Sequence, residues 1–312
     1  MNVTPEVTVF YACDDRYIPY LAVSLTSLIA HADESTRYRV IVLHSGIGAE
    51  NRAIISAMAK DNVTTEFKDV SASLEALADR LCLRDYYSLS IYYRLFIPDL
   101  FPAIGRAVYL DADTVLLDDV AALYRTDLHG ALVAAAPDMV VASEEIFRRY
   151  ADEGVGVPYA RYFNSGVLVM DLRQMRERDV KGQFVRLLST YGFDTICPDQ
   201  DYLNVICRGQ VYYLPTGWNR MPVEHPAADR PALVHYNMYF KPWLYADVPY
   251  EEHFWDFACR TPFYERLLAE KQAFGEEGRR RDDEAGVRLR RSAERIIRSD
   301  RSFRAVLAGN AV

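Results

Sequence analysis

Three β-prone runs, residues 7–12, 38–44 and 63–67, are separated by two segments of helical character. In the first of these, Ile18, Leu21, Leu25, Leu28 and Ile29 recur at spacings of three and four; the second covers residues 49–60. Short apolar runs without alternation read as strands buried on both faces, and strands joined by helices require right-handed crossovers. A β-α-β-α-β opening therefore predicts an α/β fold with a mostly parallel sheet flanked by helices. The first turn has no G-x-G-x-x-G, which removes the dinucleotide fingerprint but leaves mononucleotide binding open.

The fourth such run carries the chemistry. Ala107, Val108, Tyr109 and Leu110 lead directly into Asp111-Ala112-Asp113-Thr114. On an extended chain, carboxylates at i and i+2 point to the same side. Strand carboxyl ends are where open α/β sheets bind ligands. Two adjacent carboxylates repel unless a cation lies between them or one takes up a proton. Mg²⁺ and Mn²⁺ suit oxygen ligands. Asp111 and Asp113 therefore read either as a metal site that in turn holds a diphosphate or as turn aspartates at a strand end.

Other polar residues stand at expected element ends: Asp14 and Asp15 after the first strand, Arg94 in a helical segment at 88–96, and Asn164 at the polar entry of a strand at 163–172. A strand at 131–136 ends at Pro137-Asp138, and a long helix is expected over 173–191. Pro198-Asp199-Gln200-Asp201 resembles a helix start with a capping Asp. Short strands are expected at 211–214 and 232–235, joined by an irregular loop with surface aromatics at 218–222. His235 with two carboxylates is a plausible Mn²⁺ set, because imidazole tilts preference away from Mg²⁺. By itself, within Leu233-Val234-His235-Tyr236, it reads more readily as a satisfied core histidine than as a ligand. Arg94 has a surface alternative, a pair with Asp99.

Composition narrows the class. The 312 residues are half hydrophobic, enough for one large domain and an extension. There is no run of eighteen apolar residues and no basic, apolar leader at the N-terminus. The five cysteines form no CxxC, so a reduced, cytoplasmic setting is expected. A net charge of −8 argues against a general nucleic-acid binder. The segment from Gly286 onward is the exception, with seven Arg against two acidic residues, a net of +5 that leaves −13 on the rest. Residues 276–284 read as a charged, solvated linker. Beyond it Leu289, Ala293, Ile296, Phe303 and Leu307 share one face of a basic amphipathic helix. That helix either packs back on the domain or makes peripheral contact with the inner face of a membrane. The division expected is 1–275 as the main domain and 276–312 as linker and helix.

Six stretches, in order, resemble the family-8 glycosyltransferases, retaining enzymes that use nucleotide sugars. They are Tyr11-Ala12-Cys13-Asp14-Asp15-Arg16-Tyr17, Tyr93-Arg94-Leu95, Tyr109-Leu110-Asp111-Ala112-Asp113-Thr114, Phe163-Asn164-Ser165-Gly166-Val167, Asp199-Gln200-Asp201-Tyr202-Leu203-Asn204, and His235-Tyr236 with Lys241-Pro242-Trp243. The resemblance implies a GT-A nucleotide-binding sheet and a hexosyltransferase moving glucose or galactose from a UDP-sugar to a glycan or glycolipid acceptor, as in lipopolysaccharide synthesis. It implies that Asp111, Asp113 and His235 bind Mn²⁺, that Asp14 and Tyr17 contact uridine, and that Arg94 and Asp111 contact ribose or sugar. Lys241 would then meet the diphosphate, and Asn164, Asp199 and Gln200 would line the sugar. Arg16 departs from the asparagine common in bacterial relatives. The loop at 221–226 is individual and falls where acceptors bind. Two other readings compete. Asp111 and Asp113 resemble the nucleophile motif of haloacid-dehalogenase-type phosphatases, although three strands precede it here. A non-catalytic sugar-nucleotide binder or self-glycosylating primer is the second.

Overall fold

The computed structural model describes residues 6–75, 81, 89–223 and 230–309. The opening alternation is present as β1 (Glu6–Ala12), a helix Ile18–His31, β2 (Arg37–His44), a helix Ala49–Ala57 and β3 (Val63–Asp69). Then come β4 (Arg106–Asp111), β5 (Thr114–Leu116), β6 (Val133–Pro137), β7 (Phe163–Asp171), β8 (Val211–Tyr213) and β9 (Leu233–His235). Among the described residues the main sheet has the order β3-β2-β1-β4-β7-β6-β8. The pairs β3/β2, β2/β1, β1/β4 and β6/β8 are parallel, and β7 runs antiparallel to β4 and β6. The sheet is mixed and mostly parallel, flanked by helices, as a GT-A fold requires.

The centre of the sheet is buried on both faces. Ala107 to Leu110 are 0% exposed. The two-residue period of the strand sends Val108 and Leu110 into one core layer and Ala107 and Tyr109 into the other. Each fully buried Val or Leu contributes roughly 1.5–3 kcal/mol, so β4 is pinned in depth and register. The chain leaves β1 on the β2 side and returns on the opposite side as β4, with Ala12 and Asp111 paired in register. That reversal opens a crevice at the strand carboxyl ends. A second, two-stranded ladder crosses beside it: β5 pairs antiparallel with β9, opposing Thr114 to His235.

Several local expectations need correction. The helix expected at 173–191 is two helices, Leu172–Glu177 and Val180–Tyr191. They are parted by Asp179 at φ +50°, a left-handed conformation that Asp tolerates, and its carboxylate caps the second helix at Gly182 N, 3.1 Å away. The segment before β4 is a 3-10 helix, Leu89–Leu95; Ser88 lies outside the described residues. The 218–222 loop is not a surface feature: Trp218 packs against the core, and Asn219, Arg220 and Met221 are 0% exposed. Residues 224–226 lie outside the described set, as does Cys82. Cys13, Cys197, Cys207 and Cys259 are free thiols.

Residues 276–284 are no linker but the first turns of a 22-residue helix, Glu276–Ile297, held there by a hydrogen bond from Tyr245 Oη to Asp282 at 2.7 Å. Its apolar face is covered by the domain. Ala293 and Ile296 are buried with Phe147 and Tyr150, and Phe303, in a following helix, lies 4.0 Å from the Phe193 ring. Arg290 makes a bidentate pair with Glu144 at 2.8 and 2.9 Å. Of the two readings of this segment, packing on the domain is the one found. Among the described residues no helix is long and apolar enough to cross a membrane.

Candidate active site

The crevice at the β1/β4 reversal is lined by Ala12, Cys13 and Tyr17 after β1, by Asp111 and Asp113 after β4, and by Asp138, Asn164, Asp199, Gln200, His235 and Lys241. Aliphatic and aromatic side chains, Val141, Phe147, Ile196 and Leu289, complete its wall.

Asp111, Asp113 and His235 each offer a ligand atom within 4.8 Å of the others. Two come from one strand end and the turn after it. The third is brought in by the β5/β9 ladder, locked by Tyr236 N donating to Asp113 O at 2.9 Å. The oxygens are divided in use. Asp111 Oδ1 accepts from Arg94 Nη2 at 2.8 Å and Tyr109 Oη at 2.9 Å, leaving Oδ2, which lies 3.7 Å from His235 Nε2. Asp113 pairs with Lys241 through Oδ2 and sets Oδ1 3.3 Å from His235 Nε2. Burial alone raises the Asp113 carboxyl, but the Lys241 ammonium beside it, with His235 as a further partner, outweighs burial and holds the group well below the usual carboxylate range. Two hard oxygens and one imidazole nitrogen, converging with no bulk between them, are a donor set that fits Mn²⁺ or Mg²⁺.

Arg94 is the structural hinge of the site. At 2% exposure it bonds Asp111 on one side, Asp199 Oδ2 at 3.1 Å on the other and the Ser165 hydroxyl at 3.1 Å, with its guanidinium 4.3 Å from the Tyr109 ring centre. A surface pair with Asp99 is not made; Asp99 bonds Lys181 instead. Asp199 lies in the first turn of the helix Pro198–Ile206 but does not cap it. It accepts from Ser165 Oγ at 2.8 Å, and burial raises its carboxyl despite Arg94. Gln200 is pinned at both ends, its Oε1 accepting from Ser165 N at 2.9 Å and its Nε2 donating to Asp138 at 3.0 Å. Asp201 turns away from the cleft into the protein, accepting from Tyr150 and Tyr162 hydroxyls at 2.7 and 2.6 Å, and burial pushes its carboxyl up to about 7.

The sequence-derived residues Tyr17, Arg94, Asp111, Asp113, Asn164, Asp199, Gln200, His235 and Lys241 all line the one crevice. Asp14 does not line it. Its carboxylate caps the turn at Asp15–Tyr17 and pairs with Arg16 at 3.0 Å. Asp138 and Asn219 escaped sequence reasoning, and Ser165 stood in the stretch Phe163-Asn164-Ser165-Gly166-Val167 without a role of its own. The only signals were an Asp following a strand and an Asn in a loop otherwise read as surface.

The crevice at a sheet reversal, with paired carboxylates, an imidazole and flanking cations, has the layout of a GT-A donor site. Residues 8–247 match glycosyl transferase family 8, and the chain belongs to that family. It is 25% identical to general stress protein A of Bacillus subtilis over 82% of this chain and 94% of that one. It is 26% identical to a lipopolysaccharide 1,2-glucosyltransferase of Escherichia coli K12 over 80% and 78%. The galactosyltransferase LgtC, solved with donor and acceptor sugar analogues, superimposes with a TM-score of 0.68 at 27% identity over 82% of this chain and 96% of that one. The bifunctional enzyme WbbM shares the fold, with a TM-score of 0.75 at 24% identity, although the chain spans only 53% of it. The phosphatase reading falls with this assignment.

Proposed function

We propose that this enzyme is a Mn²⁺-dependent, retaining hexosyltransferase that moves glucose or galactose from a UDP-sugar to a sugar of a surface glycan or glycolipid. The observation that carries the proposal is the convergence of Asp111, Asp113 and His235 beside Lys241. Those three residues would hold the cation, which supplies positive charge to the diphosphate. Lys241 adds a point charge for the leaving group. Tyr17 in the crevice, with Asp14 near it in the chain, would contact the uridine. Arg94 and Asp111 would contact ribose or sugar, with Asn164, Asp199 and Gln200 around the hexose. The hexose and acceptor class are supported by the glucosyl- and galactosyltransferase names among the relatives. A cytoplasmic site of action is part of the same reading, supported by the free thiols of Cys13, Cys197, Cys207 and Cys259. The catalytic unit is taken as residues 1–275 together with the helix Glu276–Ile297, whose Leu289 stands in the crevice wall.

The test is a donor screen with the purified protein and Mn²⁺, reading release of nucleoside diphosphate from each candidate sugar nucleotide. UDP-glucose or UDP-galactose should be turned over, and neither without a divalent cation. Preference for another base, or turnover unaffected by chelation, overturns the proposal.

A further inference from the structure

A chain of hydrogen bonds runs from the sugar side of the crevice to the imidazole. Asp138 caps the turn after β6 through Oδ1, which accepts from Val141 N at 2.9 Å. Its Oδ2 accepts from Asn164 Nδ2 at 2.9 Å and Gln200 Nε2 at 3.0 Å. Asn164 Oδ1 accepts from Gly166 N at 2.9 Å and from Asn219 Nδ2 at 3.0 Å. Asn219 Oδ1 then lies 3.0 Å from His235 Nδ1. Asn219 and His235 are 0% and 2% exposed, so water does not rearrange the chain.

Each link has one workable direction. A carboxylate only accepts, and a backbone N–H only donates. Asn164 lies between one of each, so it must turn its NH₂ to Asp138 and its carbonyl to Gly166. That carbonyl demands a donor from Asn219, which therefore presents NH₂ to Asn164 and its own carbonyl to His235. A carbonyl facing Nδ1 holds the proton there and leaves Nε2 bare. This is the reverse of what the near neighbours of Nε2 favour. With Asp113 Oδ1 at 3.3 Å and Asp111 Oδ2 at 3.7 Å, a ring without the Asn219 contact would put its proton on Nε2 and donate it to a carboxylate.

We infer that Asp138, acting through Asn164 and Asn219, fixes the tautomer of His235 so that Nε2 presents a lone pair to the position between Asp111 and Asp113. These are positioning residues. Asp138 orients the Gln200 amide by the same carboxylate oxygen, so one buried charge sets both the imidazole and the residue expected beside the sugar. The inference rests on His235 being a ligand in the proposed function, but the tautomer itself is readable without any metal.

The experiment uses the full chain, chelator-treated and labelled with ¹⁵N-histidine, at mildly alkaline pH where imidazoles are neutral. Long-range ¹H–¹⁵N correlation should show His235 protonated at Nδ1 and bare at Nε2, its signal identified by loss in His235→Gln. Asn219→Leu should move the proton to Nε2 and weaken Mn²⁺ binding by about 10–100-fold, the usual cost of losing such a partner. A wild-type ring protonated at Nε2, or an unchanged ring in folded Asn219→Leu, overturns the inference; the wild-type spectrum decides even where that variant does not fold. Wild-type protein with the expected tautomer and no Mn²⁺ affinity would instead defeat the metal assignment alone.

Discussion

Gly166 lies so close under His235 that a Cβ added to it would stand 2.3 Å from Cε1 of that ring, and 2.5 Å from Asp111 Oδ2. The strand bearing Asn164 and Ser165 thus has room at this point for hydrogen only. Gly166→Ala should push the ring and the carboxylate apart and weaken Mn²⁺ binding by about tenfold or more, the scale of losing a ligand-orienting contact. Asp111→Ala and Asp113→Ala each remove a ligand and should abolish metal-dependent nucleotide binding and turnover. Mn²⁺ titration of the folded variants checks all three, and unchanged curves would refute the site.

Lys241 should act mainly on the transition state, because negative charge grows on the diphosphate as the sugar leaves. Lys241→Ala is expected to slow turnover by ~10²-fold or more, comparable to loss of one oxyanion donor. The same change frees Asp113 from its nearest cation. A loss below about threefold in steady-state kinetics would place the lysine outside the reaction.

Gln200 tests the stereochemical course. An amide is a poor nucleophile, and this one is held by Ser165 and Asp138. Attack from the leaving-group face, with the departing diphosphate taking the acceptor's proton, needs no nucleophile from the protein. Gln200→Ala should then keep a measurable fraction of activity, whereas loss of an essential nucleophile typically costs orders of magnitude. Donor binding should change little if the amide acts only on developing charge. Proton NMR of the product should show an α-linkage from the α-linked donor; a β-linked product, or a folded but dead variant, would contradict this course.

The long helix at 276–297 should behave as part of the core. Ile296 is 3% exposed among Phe147, Tyr150 and Ala293. Ile296→Ala should cost about 2–5 kcal/mol, as for other large-to-small changes in packed interiors. Because the apolar face is already covered, sedimentation with anionic liposomes should be weak and salt-sensitive, arising from the exposed arginines alone. Salt-resistant binding would mean that the helix leaves the domain.

Asp201 predicts how stability varies with pH. Its folded carboxyl, pushed up to about 7, binds a proton more tightly than in the unfolded chain. Its contribution is therefore full below the ordinary carboxylate range and is lost as pH rises toward about 7. Denaturant unfolding should show the wild type losing stability over that interval relative to Asp201→Asn. Parallel curves would show that the group titrates normally.

Much of the sheet was legible in the chain because strands and helices carry their own periods. The apolar run ending at Asp111 marked the central strand, but Asp113 joins Asp111 through the turn between β4 and β5 and not through the two-residue period of an extended chain. What no period encodes is which distant polar group completes a local one. His235 joins the carboxylates only through the β5/β9 ladder, and Arg94 prefers Asp111 and Asp199 over the neighbouring Asp99 because burial removes water as a competitor. Asn219 ends a short 3-10 helix and Asp138 caps the helix after β6, places where sequence pattern says nothing about depth, and their roles arise from being dry and having one hydrogen-bond direction available. The charge run at 276–284 misled for the same reason. By itself it describes a solvated segment, and it is folded as helix because the apolar residues beyond it find Phe147, Tyr150 and Phe193 already in place.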